Sequence, residues 1–132
     1  MQSPKETLIQ WVKAFNEHDA TRASELYHDD AENIQVALGV PLKGKQAIFE
    51  DFQSFFASTP DSYTNIENLF EDGEWAIIEW SGAGNFVAAD GNCKPYTLCG
   101  CGFFHIIDGK IKFQRGYWDK HTWFRQVGLP MD

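Results

Sequence analysis

Hydrophobic and polar positions follow two different rhythms along this chain. Up to about residue 60 the apolar residues recur at helical spacing; beyond it they alternate. Leu8, Val12 and Phe15 repeat every three or four residues, with Ile9 and Trp11 widening the stripe, and predict a first helix. Ser3-Pro4-Lys5-Glu6 starts it: Ser3 can cap, Pro4 suits the first helical position and Glu6 completes a capping box. The helix is expected to end near Asn16 to His18. Asp19 then caps a second helix with Ala23, Leu26 and Tyr27 on one side. Asp29-Asp30 closes that pair, Ala31 to Val36 reads as a strand, and Gly39 and Pro41 break it. Ile48, Phe49, Phe52, Phe55 and Phe56 make Gly44 to Ala57 a third helix, ended by Thr59-Pro60-Asp61.

Four strands are expected next: Tyr63 to Phe70, Trp75 to Ala88, Tyr96 to Ile107 and Lys110 to Trp118. Asp72-Gly73, Asp90-Gly91 and Asp108-Gly109 separate them, and three successive Asp-Gly turns argue for an antiparallel meander. A short last helix, Asp119 to Gln126, is stopped by Gly128 and Pro130. Helices followed by antiparallel strands make an α+β fold. The expected architecture is a cone: a strongly curved antiparallel sheet wrapped around the N-terminal helices, with an internal apolar cavity, in one domain over residues 1–132.

Turns set register, and register sets faces. A two-residue turn at Asp108-Gly109 places His105 opposite Lys112. Cys101, Phe103, His105, Lys112, Gln114, Gly116 and Trp118 then share the cavity face, joined by Ala76, Ile78 and Trp80 through the Asp90-Gly91 turn. The other face would carry Trp75, Ile77, Phe104, Ile106, Phe113 and Tyr117. A face that apolar predicts a homodimer formed sheet to sheet.

Composition narrows the function. The 132 residues include 11 Phe and 5 Trp, and 43% are hydrophobic, ample for a core or an apolar pocket. A net charge of -8 argues against nucleic acid and anionic membrane as partners. Three cysteines without paired spacing, and no signal-like start in MQSPKETLIQWV, point to free thiols in the cytoplasm. No phosphate loop, nucleophile elbow or metal-ligand spacing is present, so neither cofactor nor metal is expected.

The segments WVKAFNEHDATRASELYHDDAE (Trp11 to Glu32), VPLKGKQAIFEDF (Val40 to Phe52) and IIDGKIKFQRGYWDKHTWFRQVGLP (Ile106 to Pro130) carry a family resemblance. Together they resemble the nuclear transport factor 2 / ketosteroid isomerase superfamily (cystatin-like cones), in its SnoaL-like branch. The resemblance implies the cone fold and a range of chemistries, from isomerases and dehydratases to epoxide hydrolases, cyclases and non-enzymes. The position of the steroid isomerases' basic Asp matches Gln35 here. The cavity Asp of epoxide hydrolases and polyketide cyclases matches Gly116. SnoaL-like cyclases are similar in carrying a His on the penultimate strand, which matches His105.

His105 is therefore the leading acid/base candidate, against the plain alternative of a core histidine. Asp119 is the second candidate; by parity it faces away from His105 and suits the cap of the last helix. Trp11, Phe15, Tyr27, Phe52, Tyr63, Trp80, Cys101, Phe103 and Trp118 are expected to line the pocket, with Gln35 and Gln114 as its sparse polarity. The expected function is binding of a small apolar or cyclic molecule, with cofactor-free isomerisation, dehydration or aldol cyclisation through His105. The alternative is a non-catalytic ligand-binding or dimerisation module on the same fold.

Overall fold

The Ser3 hydroxyl accepts from the Glu6 backbone N–H at 3.2 Å and the Glu6 carboxylate accepts from the Ser3 N–H at 3.0 Å, so the capping box closes. Helix α1 (Pro4–Asn16) starts where the sequence places it. The computed structural model describes residues 2–129. After α1 come α2 (Ala20–Glu25), β1 (Tyr27–Gln35), β2 (Leu42–Lys43), α3 (Lys45–Ser58), β3 (Tyr63–Asp72), β4 (Trp75–Val87), β5 (Cys93–Ile107), β6 (Lys110–Trp118) and α4 (Lys120–Val127). Pro130, expected just beyond the last helix, lies outside the described residues.

The strands form one six-stranded, curved, unclosed sheet in the order β2-β1-β6-β5-β4-β3. β3 to β6 make the expected antiparallel meander. β1 departs from expectation in two ways. It runs parallel to β6, and it begins at Tyr27 rather than Ala31. The Ile111 N–H donates to the Leu26 carbonyl at 2.8 Å, which draws the chain into the sheet as soon as α2 ends. Asp29 and Asp30 are thus strand residues, held by Lys45 at 3.4 Å and Lys112 at 2.6 Å, and the Lys112 ammonium keeps the Asp30 carboxyl below the usual carboxylate range. The two-residue β2, pairing Leu42 and Lys43 with β1, is too short to show as a period in the sequence.

The register corrects the expected faces through two one-residue slips. β4 and β5 are joined by a five-residue loop, residues 88–92, because Val87 pairs with Cys93. Asp90 shapes that loop by accepting from the Asn92 backbone and side chain, both at 2.9 Å. At the next turn Ile107 faces Lys110 as expected, but His105 faces Phe113 rather than Lys112, so Lys112 is a bulge residue. Each slip inverts β5 relative to its neighbour. β4 and β6 keep their expected faces and β5 is reversed.

The concave face consequently carries Ala76 and Ile78 from β4, Phe104 and Ile106 from β5, and Ile111 from β6. Leu8 and Val12 of α1 and Ile48, Phe52 and Phe56 of α3 cover them. Trp11 lies 5.4 Å from Phe15 and 5.2 Å from Phe104, and Phe15 lies 5.3 Å from Phe56, so much of the space between helices and sheet is packed with rings. Asn16 clamps the edge strand, accepting from Thr64 N–H at 2.7 Å and donating to its carbonyl at 2.9 Å. At the other end of the sheet Trp123 of α4 packs on Phe86, Tyr96 and Trp118.

Candidate functional site

Two strands bring the interior polar groups together. On β1 the alternation places Tyr27, Asn33 and Gln35 on the concave side. On β6, Gln114, Gly116 and Trp118 share it. The parallel register sets Asn33 beside Gln114 and Gln35 beside Gly116. Gly116 is where the chain approaches most closely: a Cβ there would lie 2.9 Å from both Cδ and Nε2 of Gln35. The two positions where related enzymes were expected to hold carboxylates are here occupied by one amide and the space it needs.

Hydrogen bonds join these side chains into two lines. In the first, the Trp11 indole N–H donates to the Tyr27 hydroxyl at 2.9 Å, and that hydroxyl donates to Gln114 Oε1. In the second, the Trp118 indole N–H donates to Gln35 Oε1 at 2.9 Å, and Gln35 Nε2 donates to Asn33 Oδ1 at 2.8 Å. Tyr27 is fully buried; burial raises its pKa, the Trp11 N–H opposes the rise and the charge of Asp51 adds to it. Asp51 is exposed over the residue as a whole, yet it flanks the apolar stripe of α3 beside Ile48 and Phe55. Burial of its carboxyl raises its pKa above the usual carboxylate range.

Of the residues singled out from sequence, Trp11, Phe15, Tyr27, Gln35, Phe52, Trp80, Gln114 and Trp118 lie on the concave side. Four do not line it. Cys101, Phe103 and His105 point to the convex face, because the loop at 88–92 and the bulge at Lys112 reverse β5. There the His105 ring stacks on Trp75 at 4.8 Å and its Nε2 pairs with Glu74 at 2.9 Å. Tyr63 pairs with Ala83 at the start of the edge strand and is 56% exposed. Phe104 and Ile106, expected on the outer face, are core residues, 1% and 3% exposed.

Asp119 caps α4: it accepts from the Thr122 hydroxyl at 2.6 Å and from the Thr122 N–H at 3.0 Å, bonds that hold its carboxyl below the usual range. The three cysteines are free. There are two surface depressions of about 460 Å³, and the second reaches Trp118 at the end of the Gln35 line. One lies between α2 and the β5–β6 turn, the other over Cys99, Cys101, Tyr117 and Asp119.

Two further residues escaped the sequence reading. Asn33 is two places before Gln35 on the same strand, so period-two parity alone would have found it. Asp51 sits in a helix chosen for its phenylalanines, and nothing local marks its carboxyl as desolvated.

Helices covering the concave face of an open, curved, mainly antiparallel sheet, with polar groups on that face, define an α+β cone of the ketosteroid isomerase / nuclear transport factor 2 type. The chain belongs to the SnoaL-like domain family, whose model matches residues 8–114. A protein with a ketosteroid isomerase-like fold from Catenulispora acidiphila, solved in complex with trimethylamine, is similar at 19% identity; 98% of this chain and 96% of that one are covered, with a TM-score of 0.84. A phenazine biosynthesis-related protein from Pseudomonas aeruginosa is similar at 20% identity, covering 98% and 87%, with a TM-score of 0.82. An LEH-like epoxide hydrolase from M. tuberculosis is similar at 17% identity, covering 94% and 88%, with a TM-score of 0.78. Likeness at these identities establishes the fold. No functionally curated protein shows significant sequence similarity to the chain. No helix among the described residues is long and apolar enough to cross a membrane.

Proposed function

We propose that the chain is a single-domain binding protein for a small, largely apolar or cyclic molecule, taken up on the concave side of the sheet. One observation carries this reading. A short line of amide and indole groups lies within an otherwise aromatic interior, the composition of a site that buries an apolar body and orients one polar atom. The expected acid/base, His105, is on the other face, which favours binding over catalysis through that residue. The test is a calorimetric titration with a panel of cyclic ketones and hydrocarbons, with Trp11→Leu as control. Binding lost in the variant supports the reading, and a panel without any binder overturns it.

A second, catalytic reading rests on Asp51. A carboxyl with a raised pKa close to Tyr27 is suited to cofactor-free proton transfer, the step shared by isomerisation, dehydration and aldol cyclisation. If a turned-over substrate is found, Asp51→Asn should lower kcat by about 10²-fold, the usual scale for a lost general base. Unchanged kcat removes Asp51 from the mechanism.

The convex face supports the expected homodimer. Trp75, Ile77, Phe103, Phe113 and Tyr117 lie on it, and the Arg115 guanidinium covers Phe103, Phe113 and Tyr117 at 5.3, 5.7 and 5.9 Å. Arg115 Nε is sealed from water and has no acceptor among the described residues.

A further inference from the structure

The depression between α2 and the β5–β6 turn has a volume of about 460 Å³ and is lined by charges of both signs. Arg22 and Glu25 of α2, Lys45 at the start of α3, Asp108 of the turn and Lys110 at the start of β6 stand around it. The fold sets these positions. The Asp19 carboxylate accepts from the Arg22 backbone N–H at 2.9 Å. The Leu26 carbonyl, just past the same helix, accepts from the Ile111 N–H at 2.8 Å, which ties α2 to the residue after Lys110. The Gly109 carbonyl accepts from the Thr7 hydroxyl at 3.0 Å, which ties the turn to α1.

These charges do not neutralise one another. Among the described residues no ion pair joins Arg22 or Lys110 to a carboxylate, and none joins Glu25 or Asp108 to a cation. Lys45 pairs outside the lining residues, with Asp29 on β1, at a loose 3.4 Å. The Arg22 guanidinium donates to a neutral group, the Gln10 amide oxygen, at 3.0 Å. A guanidinium has five N–H donors, so its capacity is largely unused. In this chain 19 Asp and Glu face 11 Lys and Arg, so a cation has an excess of carboxylates to pair with. Three of those cations line one depression instead.

Two chemistries thus stand side by side. A guanidinium and two ammonium groups suit an oxyanion with more than one negative charge, since N–H donors bearing positive charge make short, strong bonds to anionic oxygen and the guanidinium can meet two oxygens at once. Ionised carboxylates only accept, so Glu25 and Asp108 suit hydroxyl donors and oppose a bare anion. One class of molecule meets both demands. We propose that this depression binds a phosphate monoester carrying free hydroxyl groups. Arg22, Lys45 and Lys110 take the phosphoryl oxygens, and Glu25 and Asp108 accept from the hydroxyls. The site is separate from the concave side, and its ligand is polar where the concave ligand is apolar.

The test uses the full chain and three probes at constant ionic strength: glucose 6-phosphate, inorganic phosphate and glucose. Calorimetry gives the affinities, and proton–nitrogen NMR follows the backbone amides of Leu26, Gly109 and Lys110. The sugar phosphate is expected to shift those amides and to bind about tenfold more tightly than phosphate, the scale of one or two hydrogen bonds to a charged acceptor. Glucose is expected not to bind. Arg22→Gln and Lys110→Gln should weaken both anions about tenfold or more. Glu25→Gln and Asp108→Asn should remove the advantage of the sugar phosphate over phosphate. Lys120→Gln on α4 makes the same change of charge away from the depression and should alter nothing. Equal binding of sugar phosphate and phosphate marks an adventitious ion only and overturns the proposal. So does a Lys120→Gln effect as large as that of Arg22→Gln, glucose binding as tight as that of its phosphate, or the absence of binding by all three. The wild-type titrations decide if a variant does not fold.

Discussion

Gly116 and Gln35 show how one missing side chain organises the interior. The Gln35 amide occupies the volume a Cβ at Gly116 would take. In that place it receives the Trp118 N–H and orients Asn33. Gly116→Ala should force the amide out and break the second line. We expect a loss of about 1–3 kcal/mol, the scale of overpacking in a close-packed interior, measured by urea unfolding, with a change in Trp118 emission. A variant as stable as wild type, with unchanged emission, would show that the amide has room to move. Asp51 gives a prediction of opposite sign. Its folded pKa is raised, so its contribution to stability is present at low pH, where it is protonated, and is lost as pH rises through the folded value. Asp51→Asn should therefore be more stable than wild type above the carboxylate range, and the difference should vanish in acid; unfolding curves at several pH values check both.

Among the elements, α4 and β5 teach different lessons. α4 is local in origin: Asp119 caps it, and Gly128 in the left-handed conformation ends it. The Asp119 carboxyl has a lowered folded pKa, so its stabilisation is present above the unfolded pKa and is lost as pH falls through the folded value. Asp119→Ala should lower the thermal midpoint at pH 7, whereas Asp119→Asn, an equally good cap, should hold it there and flatten the acid limb. Equal midpoints for the Ala variant and wild type would remove the cap from the account. β5 shows the limit of local reasoning. Its pattern of large apolar residues reads equally well with either face inward, since Phe103 and Phe104 are both aromatic. A bulge at Lys112 and a loop at 88–92, each shifting the register by one residue, decided which of them is core.

At the scale of the whole molecule, that reversal changes what a substitution does. Phe104 is core, so Phe104→Ala should cost about 3–5 kcal/mol, read by chemical denaturation, without a direct effect on assembly. Phe103 is convex and lies under Arg115, so Phe103→Asp should leave the fold intact and dissociate a dimer, read by sedimentation. An interface of this kind should bury more than about 1,000 Å². A wild-type monomer at micromolar concentration would refute the assembly, and a dimer unaffected by Phe103→Asp would move it off this face.

Sequence by itself determined the helices with their caps, the meander and the cone, because capping boxes, Asp-Gly turns and helical stripes depend on residues within a turn of one another. It also placed Gln35, Gln114 and Trp118 on the concave side. The tertiary structure alone decided that β1 joins β6 in parallel, that His105 leaves the interior for Glu74 and Trp75, and that Asn33 and Gln114 stand side by side. Those outcomes turn on register between strands distant in sequence. A one-residue slip costs little locally, yet moves every side chain of a strand to the opposite face.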